Sequence, residues 1–166
     1  MLANVYAPTD LHRDLAPGVV ADLAIKSSTS GESGGPGSES PSRVLLIEDD
    51  PAIAQMYRYQ LEADGYRVEV ASNGHAGWNL IQQLRPDVVL LDIRLPGMDG
   101  FQILEAVRDH QLAEIPVVVL SNFGDHQMMQ RAKSLGVREY LVKSRVTPEQ
   151  ISARIPQWIA GPQTLQ

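Results

Sequence analysis

The sequence contains no cysteine among its 166 residues. This absence excludes a disulfide framework, a thiol nucleophile and a zinc site built on cysteine. Long apolar runs are also missing, and none approaches the roughly 18 residues that a membrane-spanning helix needs. The first residues, MLANVYAPTD, carry no basic head and no sustained apolar stretch, so they do not form a secretory signal. We therefore expect a cytoplasmic protein with no membrane partner.

Positive charge is scarce, with 14 Lys and Arg against 20 Asp and Glu and a formal net charge of -6. An acidic chain gains little from the release of counterions on a phosphate backbone, so we do not expect direct binding to nucleic acid. The length suits one domain of about 100–150 residues with an additional segment.

The composition changes sharply along the chain. Residues 27–42 consist of seven Ser, four Gly, two Pro, two Glu and one Thr, none of which can anchor a core, and they predict a flexible linker. Residues 1–26 precede it as a leader that is either disordered or a docking peptide through its apolar cluster at 19–25. Residues 43–160 are predicted to form the main domain, followed by a short tail at 161–166.

The main domain alternates between predicted strands and helices. Three continuous apolar runs are typical of strands buried on both faces of a parallel sheet: 44–47, 88–91 and 117–120. Two further runs, 66–70 and 137–142, include charged residues and therefore predict the edges of the sheet. Five strands alternating with five helices predict a doubly wound α/β fold with strand order 2-1-3-4-5.

Helix boundaries and faces can also be assigned. Starts are marked by Asp50 before Pro51 and by two capping boxes, Asp99 with Gln102 and Thr147 with Gln150. Gly136 predicts a left-handed cap after the fourth helix, and Pro156 predicts an early end or a bend in the fifth. The buried face of the first helix is predicted to comprise Ile53, Met56, Tyr57 and Leu61.

Polar side chains follow four of the predicted strands. They are Glu48-Asp49-Asp50 after the first, Asp92 after the third, Ser121-Asn122 after the fourth and Lys143-Ser144 after the fifth. Because ligands of open α/β sheets bind outside the carboxyl ends of the strands, we expect these groups to converge on one site.

This set of groups has a chemical logic. Glu48, Asp49 and Asp92 repel one another unless a cation lies among them, and oxygen ligands suit Mg²⁺. Lys143 supplies a mobile positive charge at the same site. A carboxylate beside Mg²⁺ and a lysine can act as a nucleophile on phosphorus and form an aspartyl phosphate.

The region from Arg43 to about Ile159 resembles the receiver domain of two-component response regulators, of the stand-alone, single-domain type. The resemblance rests on Glu48-Asp49, on the string from Asp92 to Gly100 (DIRLPGMDG), on Ser121 and on Tyr140-Leu141-Val142-Lys143. It implies a flavodoxin-like fold and a signalling switch that is no enzyme toward other substrates.

The resemblance also implies a role for each matching residue. Asp92 is the phosphoacceptor, and Mg²⁺ is bound by Asp49, Asp92 and the Arg94 backbone carbonyl, with Glu48 acting through water. Lys143 pairs with the phosphoryl group, while Ser121 moves toward it and Tyr140 changes rotamer with Ser121. The implied donor is a histidine kinase or a histidine phosphotransfer protein. The implied output is a change in protein contacts of the fourth helix, fifth strand and fifth helix.

Two departures from the family pattern affect these expectations. Ser144 stands where the family usually has proline after the lysine, which makes the placement of Lys143 harder to predict. Arg94 and Phe123 occupy positions whose side chains flank the path of hydrolytic water in this family. We expect so bulky a pair to slow the loss of the phosphoryl group.

Two alternatives remain open on the sequence. One is a pseudo-receiver, an interaction module that is never phosphorylated. The other is a Mg²⁺-dependent phosphohydrolase, although Asp92-Ile93-Arg94 lacks the D-x-D pattern of haloacid-dehalogenase-like enzymes. The kinase, the downstream target and the oligomeric state, including a phosphorylation-dependent dimer, are also left open.

Overall fold

A computed structural model describes residues 40–161 of the chain. The predictions for residues 1–26, for most of the linker and for the tail after Gly161 fall outside these residues. Five parallel strands form one sheet in the order β2-β1-β3-β4-β5, which confirms the predicted topology. The strands are β1 Arg43–Ile47, β2 Arg67–Ala71, β3 Val88–Asp92, β4 Val117–Ser121 and β5 Glu139–Val142.

Five helices connect and cover the strands. They are α1 Pro51–Ala63, α2 Gly74–Leu84, α3 Gly100–Asp109, α4 His126–Ser134 and α5 Pro148–Ala160, and a 3-10 turn lies at Lys143–Arg145. None of the helices in residues 40–161 is long and apolar enough to cross a membrane.

Alternate residues of the central strands face two separate apolar cores. One core contains Leu45, Val89 and Val119 and is completed by α2, α3 and α4. The other contains Leu46, Leu90, Val118 and Leu120 and is completed by α1 and α5. Because both faces are covered, β3 and β4 are buried along their whole length, as their continuous apolar sequences predict.

The predicted helix caps are confirmed. Asp50 accepts hydrogen bonds from the first turn of α1, and the capping boxes of Asp99 and Thr147 are both formed. Gly136, just beyond α4, has a φ of 84°, the left-handed conformation that favours glycine.

Two local predictions are wrong. Met56 is 47% exposed, and Ala54 takes its place on the buried face of α1. Pro156 does not end α5 early, since the helix continues to Ala160. A proline removes the hydrogen bond to the carbonyl four residues earlier, here that of Ser152, but the Tyr66 hydroxyl donates to this carbonyl at 3.3 Å. A partner that is distant in sequence therefore supplies the lost hydrogen bond.

Candidate functional site

The predicted polar groups gather at the carboxyl edge of the sheet. Asp92 is the last residue of β3 and is 5% exposed, Ser121 is the last residue of β4 and is fully buried, and Glu48 directly follows β1 and is 2% exposed. Lys143 follows β5 and opens the 3-10 turn. Parallel strands end at the same edge of a sheet, which explains why residues so far apart in sequence meet there.

Lys143 joins the two buried carboxylates. Its Nζ donates to Asp92 Oδ2 at 2.7 Å and to Glu48 Oε2 at 2.5 Å, and all three side chains are at most 7% exposed. Burial alone would lower the pKa of Lys143, but the hydrogen bonds to Asp92 and Glu48 outweigh it, and the pKa is raised. The ammonium group is thus held in its charged form between the two acids.

For Glu48, burial has the larger effect on the pKa. Its burial raises the pKa of the carboxyl group, and the hydrogen bond and charge of Lys143 only partly oppose this effect. Asp92 lies close enough for its negative charge to raise the pKa of Glu48 further. Lys143 therefore only partly offsets the cost of burying the charged form of Glu48.

One oxygen each from Glu48, Asp49 and Asp92 lie within 4.8 Å of one another. Asp49, unlike the other two, is exposed, so the cluster is open on its side. This set of three carboxylates could hold a metal ion, and oxygen ligands of this kind suit a hard cation such as Mg²⁺. The residues that are present therefore fit the predicted metal.

The loop after Asp92 turns back sharply. The Arg94 amide donates to Asp92 Oδ1 at 3.0 Å, and the Gly100 amide donates to the Ile93 carbonyl at 2.9 Å. A Cβ on Gly100 would lie 2.6 Å from the Asp92 carbonyl oxygen and 2.7 Å from Ile93 Cα. Only glycine fits there, which gives a physical reason for the glycine that ends the Asp92–Gly100 string.

Phe123 connects three of the predicted site residues. Its amide donates to Ser121 Oγ at 3.2 Å, and its carbonyl accepts from the Tyr140 hydroxyl at 2.8 Å. The Arg94 guanidinium lies 4.0 Å above the centre of its ring, a cation–π contact. The loop after β4 is therefore tied to the loop after Asp92 on one side and to β5 on the other.

From the sequence, Phe123 was predicted only to flank the path of hydrolytic water, and Tyr57 was not predicted to lie at the site. Tyr57 is 2% exposed, and burial raises the pKa of its hydroxyl. The charges of Lys143, Glu48 and Asp92 also affect its pKa, so Tyr57 lies within electrostatic range of the cluster. No local signal separates Tyr57 from an ordinary apolar residue of α1.

Comparisons with known proteins agree with this geometry. Residues 44–156 match the family described as the response regulator receiver domain. The chain is 34% identical to Protein PilH of Pseudomonas aeruginosa over 121 residues. This alignment covers 72% of the present chain and 99% of PilH. The chain is 40% identical over 102 residues, or 61% of its length, to the DNA-binding dual master transcriptional regulator RpaA of Synechocystis sp.. The chain spans only 42% of that regulator's length.

The fold is similar to that of solved receiver structures. Chemotaxis protein CheY4 of Vibrio cholerae aligns with a TM-score of 0.65 and 30% identity, covering 71% of this chain and 98% of CheY4. A response regulator receiver domain protein of Clostridium thermocellum aligns with a TM-score of 0.66 and 28% identity, covering 75% and 99% of the two chains.

Proposed function

Because this chain belongs to the family of response regulator receiver domains, we propose that Asp92 accepts a phosphoryl group from a phosphohistidine donor. The donor is a histidine kinase or a histidine phosphotransfer protein. The observation that carries this proposal is the buried cluster in which Lys143 contacts Asp92 and Glu48 while Asp49 faces solvent. Since histidine phosphorylation consumes ATP, we expect the transfer to take place in the cytoplasm.

The proposed transfer is a displacement at phosphorus. An oxygen of the Asp92 carboxylate forms the new P–O bond as the P–N bond of phosphohistidine breaks, and the electron pair of that bond leaves with the imidazole nitrogen. Lys143 already contacts Asp92 Oδ2 at 2.7 Å, and its ammonium group neutralises charge on the transferring oxygens. Asp49, Asp92 and the Arg94 carbonyl would hold Mg²⁺, with Glu48 contributing through water, and the ion would supply further charge neutralisation.

The proposed switch follows from the new charge on Asp92. A phosphoryl group adds about −1.5 to −2 charge units and three acceptor oxygens. The Ser121 hydroxyl and the Lys143 ammonium group satisfy these oxygens by moving toward them. Ser121 is bonded to Phe123, and Phe123 is bonded to Tyr140, so the movement changes the loop after β4 and the packing of β5. We propose that the altered surface is the face formed by α4, β5 and α5.

Receiver domains act as signalling switches, and we propose that this chain catalyses only phosphoryl transfer to and from its own Asp92. A decisive test is intact mass after incubation with acetyl phosphate, with and without Mg²⁺. We expect wild type and an Asp109→Ala control to gain one phosphoryl group when Mg²⁺ is present, and Asp92→Ala to gain none. A gain in Asp92→Ala equal to that of wild type would refute the proposed acceptor.

One feature favours the pseudo-receiver as the second candidate. Ser144 replaces the proline that usually follows the lysine, and Lys143 starts a 3-10 turn at this point. A folded wild-type protein that binds Mg²⁺ but gains no phosphoryl group from acetyl phosphate would favour this constitutive module.

A further inference from the structure

Gly74 is the first residue of α2, and it is buried. Its φ is not positive, so the backbone at this position would accept any side chain. Within a helix, alanine is favoured over glycine by up to about 1 kcal/mol. The glycine at this position therefore has a cause other than backbone conformation.

The cause is the space beside Gly74. A Cβ on Gly74 would lie 1.7 Å from the carbonyl oxygen of Met98 and 2.7 Å from its carbonyl carbon. The oxygen thus occupies the place of the missing side chain, as in a Cα–H···O contact. Met98 belongs to the loop between β3 and α3, residues 93–99, which starts directly after Asp92. Gly74 is therefore the point at which α2 supports the main chain of this loop.

A second contact joins the same two segments. Gly97 has a φ of 79°, and a Cβ there would lie 3.1 Å from His75 Cδ2 and 3.4 Å from His75 Nε2. The first two residues of α2 thus face two successive residues of the loop. The start of α2 itself is fixed by its cap, since the Asn73 side chain accepts a hydrogen bond from the Ala76 amide at 2.9 Å.

The other side of α2 is in equally close contact with the sheet. Gly77 lies one turn further along α2, and a Cβ there would lie 2.6 Å from Ile47 Cδ1 and 2.8 Å from Ile47 Cγ2. Ile47 is the last residue of β1 and is fully buried. The helix therefore has no room to move toward β1, and a side chain at position 74 would displace the loop instead.

The loop would carry such a displacement toward the site. A Cβ does not come closer than about 3.0 Å to another heavy atom, so alanine at position 74 requires the Met98 oxygen to move by at least 1.3 Å. Pro96 lies between Met98 and Arg94, and its ring fixes φ, so little of the movement can be absorbed there. The Arg94 amide is bonded to Asp92 Oδ1 at 3.0 Å. The movement therefore reaches the residues beside the carboxylate.

We propose that Gly74 is a positioning residue for the Mg²⁺ site, because it leaves the space in which the Met98 carbonyl lies. The loop held in this way presents the Arg94 carbonyl beside Asp92, where the ion would bind. Gly74 acts only through the loop. This inference rests on the proposed function, in which the Arg94 carbonyl is a ligand. Groups that orient metal ligands typically change metal affinity by about 10–100-fold.

The test compares two substitutions on one helix in the full chain. Gly74→Ala inserts a Cβ against the main chain of the loop, whereas Gly77→Ala inserts one against the side chain of Ile47. Both glycines are buried, so the second variant controls for a loss of stability that does not involve the loop. Thermal unfolding without Mg²⁺ measures stability, and isothermal titration with magnesium chloride measures the Kd.

We expect both variants to lower the Tm, but only Gly74→Ala to raise the Kd for Mg²⁺, by about tenfold. Gly77→Ala should change the Kd by less than about twofold. A Kd of Gly74→Ala equal to that of wild type would overturn the proposal. An equal increase in both variants would also overturn it, because the increase would then reflect destabilisation alone.

A second pair of variants decides the question if Gly74→Ala does not fold. His75→Ala removes the contact with Gly97 at an exposed position, and His126→Ala is its control at the exposed start of α4. We expect His75→Ala to raise the Kd for Mg²⁺ about twofold and His126→Ala to leave it unchanged. Equal Kd values for these two variants would overturn the proposal.

Failure of the proposed function is detected in wild type alone. If wild type binds no Mg²⁺, the proposed metal site fails, and the role of Gly74 fails with it. If wild type binds Mg²⁺ but gains no mass from acetyl phosphate, the proposed acceptor fails. The comparison of Gly74→Ala with Gly77→Ala still decides the positioning role in that case, because the Kd for Mg²⁺ needs no phosphorylation.

Discussion

Replacing Lys143 by methionine tests the electrostatics of the site most directly. Methionine keeps much of the apolar stem but removes the ammonium group, leaving the carboxylates of Glu48 and Asp92 without their shared partner. The three side chains are 7%, 2% and 6% exposed, so water cannot replace the lost contacts easily. Breaking a buried ion pair by removing one partner costs about 3–5 kcal/mol, and we expect a loss of this size at pH 7.

The loss of stability in Lys143→Met should depend on pH, and the pKa of Glu48 sets the direction of this dependence. The pKa of Glu48 is raised by burial even in the presence of Lys143, whose charge and hydrogen bond act to lower it. Without Lys143 this pKa rises further. A carboxyl group with a raised pKa in the folded state contributes stability when protonated, and this contribution is lost as pH rises through the folded pKa. The destabilisation should therefore shrink as pH falls from about 7 toward the ordinary Glu value of 4.5.

Urea unfolding followed by tryptophan fluorescence measures this effect, because Trp158 of α5 is buried and donates a hydrogen bond to Glu139 of β5. Lys133→Met is the matched control: Lys133 is exposed and is the other lysine within residues 40–161, and we expect a change below about 0.5 kcal/mol. A loss below about 1 kcal/mol for Lys143→Met at pH 7, or a loss that grows on acidification, would refute the reasoning.

Three further predictions concern the surroundings of the site. Arg94→Ala and Phe123→Ala separate the pair now 4.0 Å apart, and each should speed loss of the phosphoryl group about tenfold, a barrier change of about 1.4 kcal/mol; unchanged half-lives by intact mass would contradict this. Tyr140→Phe removes the 2.8 Å hydrogen bond to the Phe123 carbonyl and should lower the free energy of unfolding by about 1 kcal/mol; equal urea midpoints would show that the bond contributes nothing. Gly100→Ala places a Cβ 2.6 Å from the Asp92 carbonyl oxygen and should cost about 1–3 kcal/mol in thermal unfolding; an unchanged Tm would contradict the close approach.

The sheet could be predicted because its signals are local. Strands buried on both faces require continuous apolar runs, and edge strands tolerate charge, so β2 and β5 were recognisable from their composition. Capping residues act on amides two or three positions away, and Asp99 and Thr147 could therefore be recognised without tertiary information. The acidic cluster was predictable from the topology, since parallel strands end at one edge.

Other features depend on residues that are distant in sequence. Local rules predict that Pro156 interrupts α5, yet the Tyr66 hydroxyl, 86 positions from Ser152, satisfies the carbonyl that the proline leaves without a donor. Met56 follows the apolar period of α1 but points outward, because the packing of α1 on the sheet buries Ala54.

By itself the sequence determined the order of the strands, the starts of the helices and the identity of the groups at the carboxyl edge of the sheet. Only the tertiary structure decided how those groups are connected. It placed the Lys143 ammonium group between Glu48 and Asp92, and it made Phe123 the contact shared by Arg94, Ser121 and Tyr140. The reason is physical: periodicity and capping act over a few residues, whereas the direction and pairing of a side chain at a strand end depend on elements that meet only after folding.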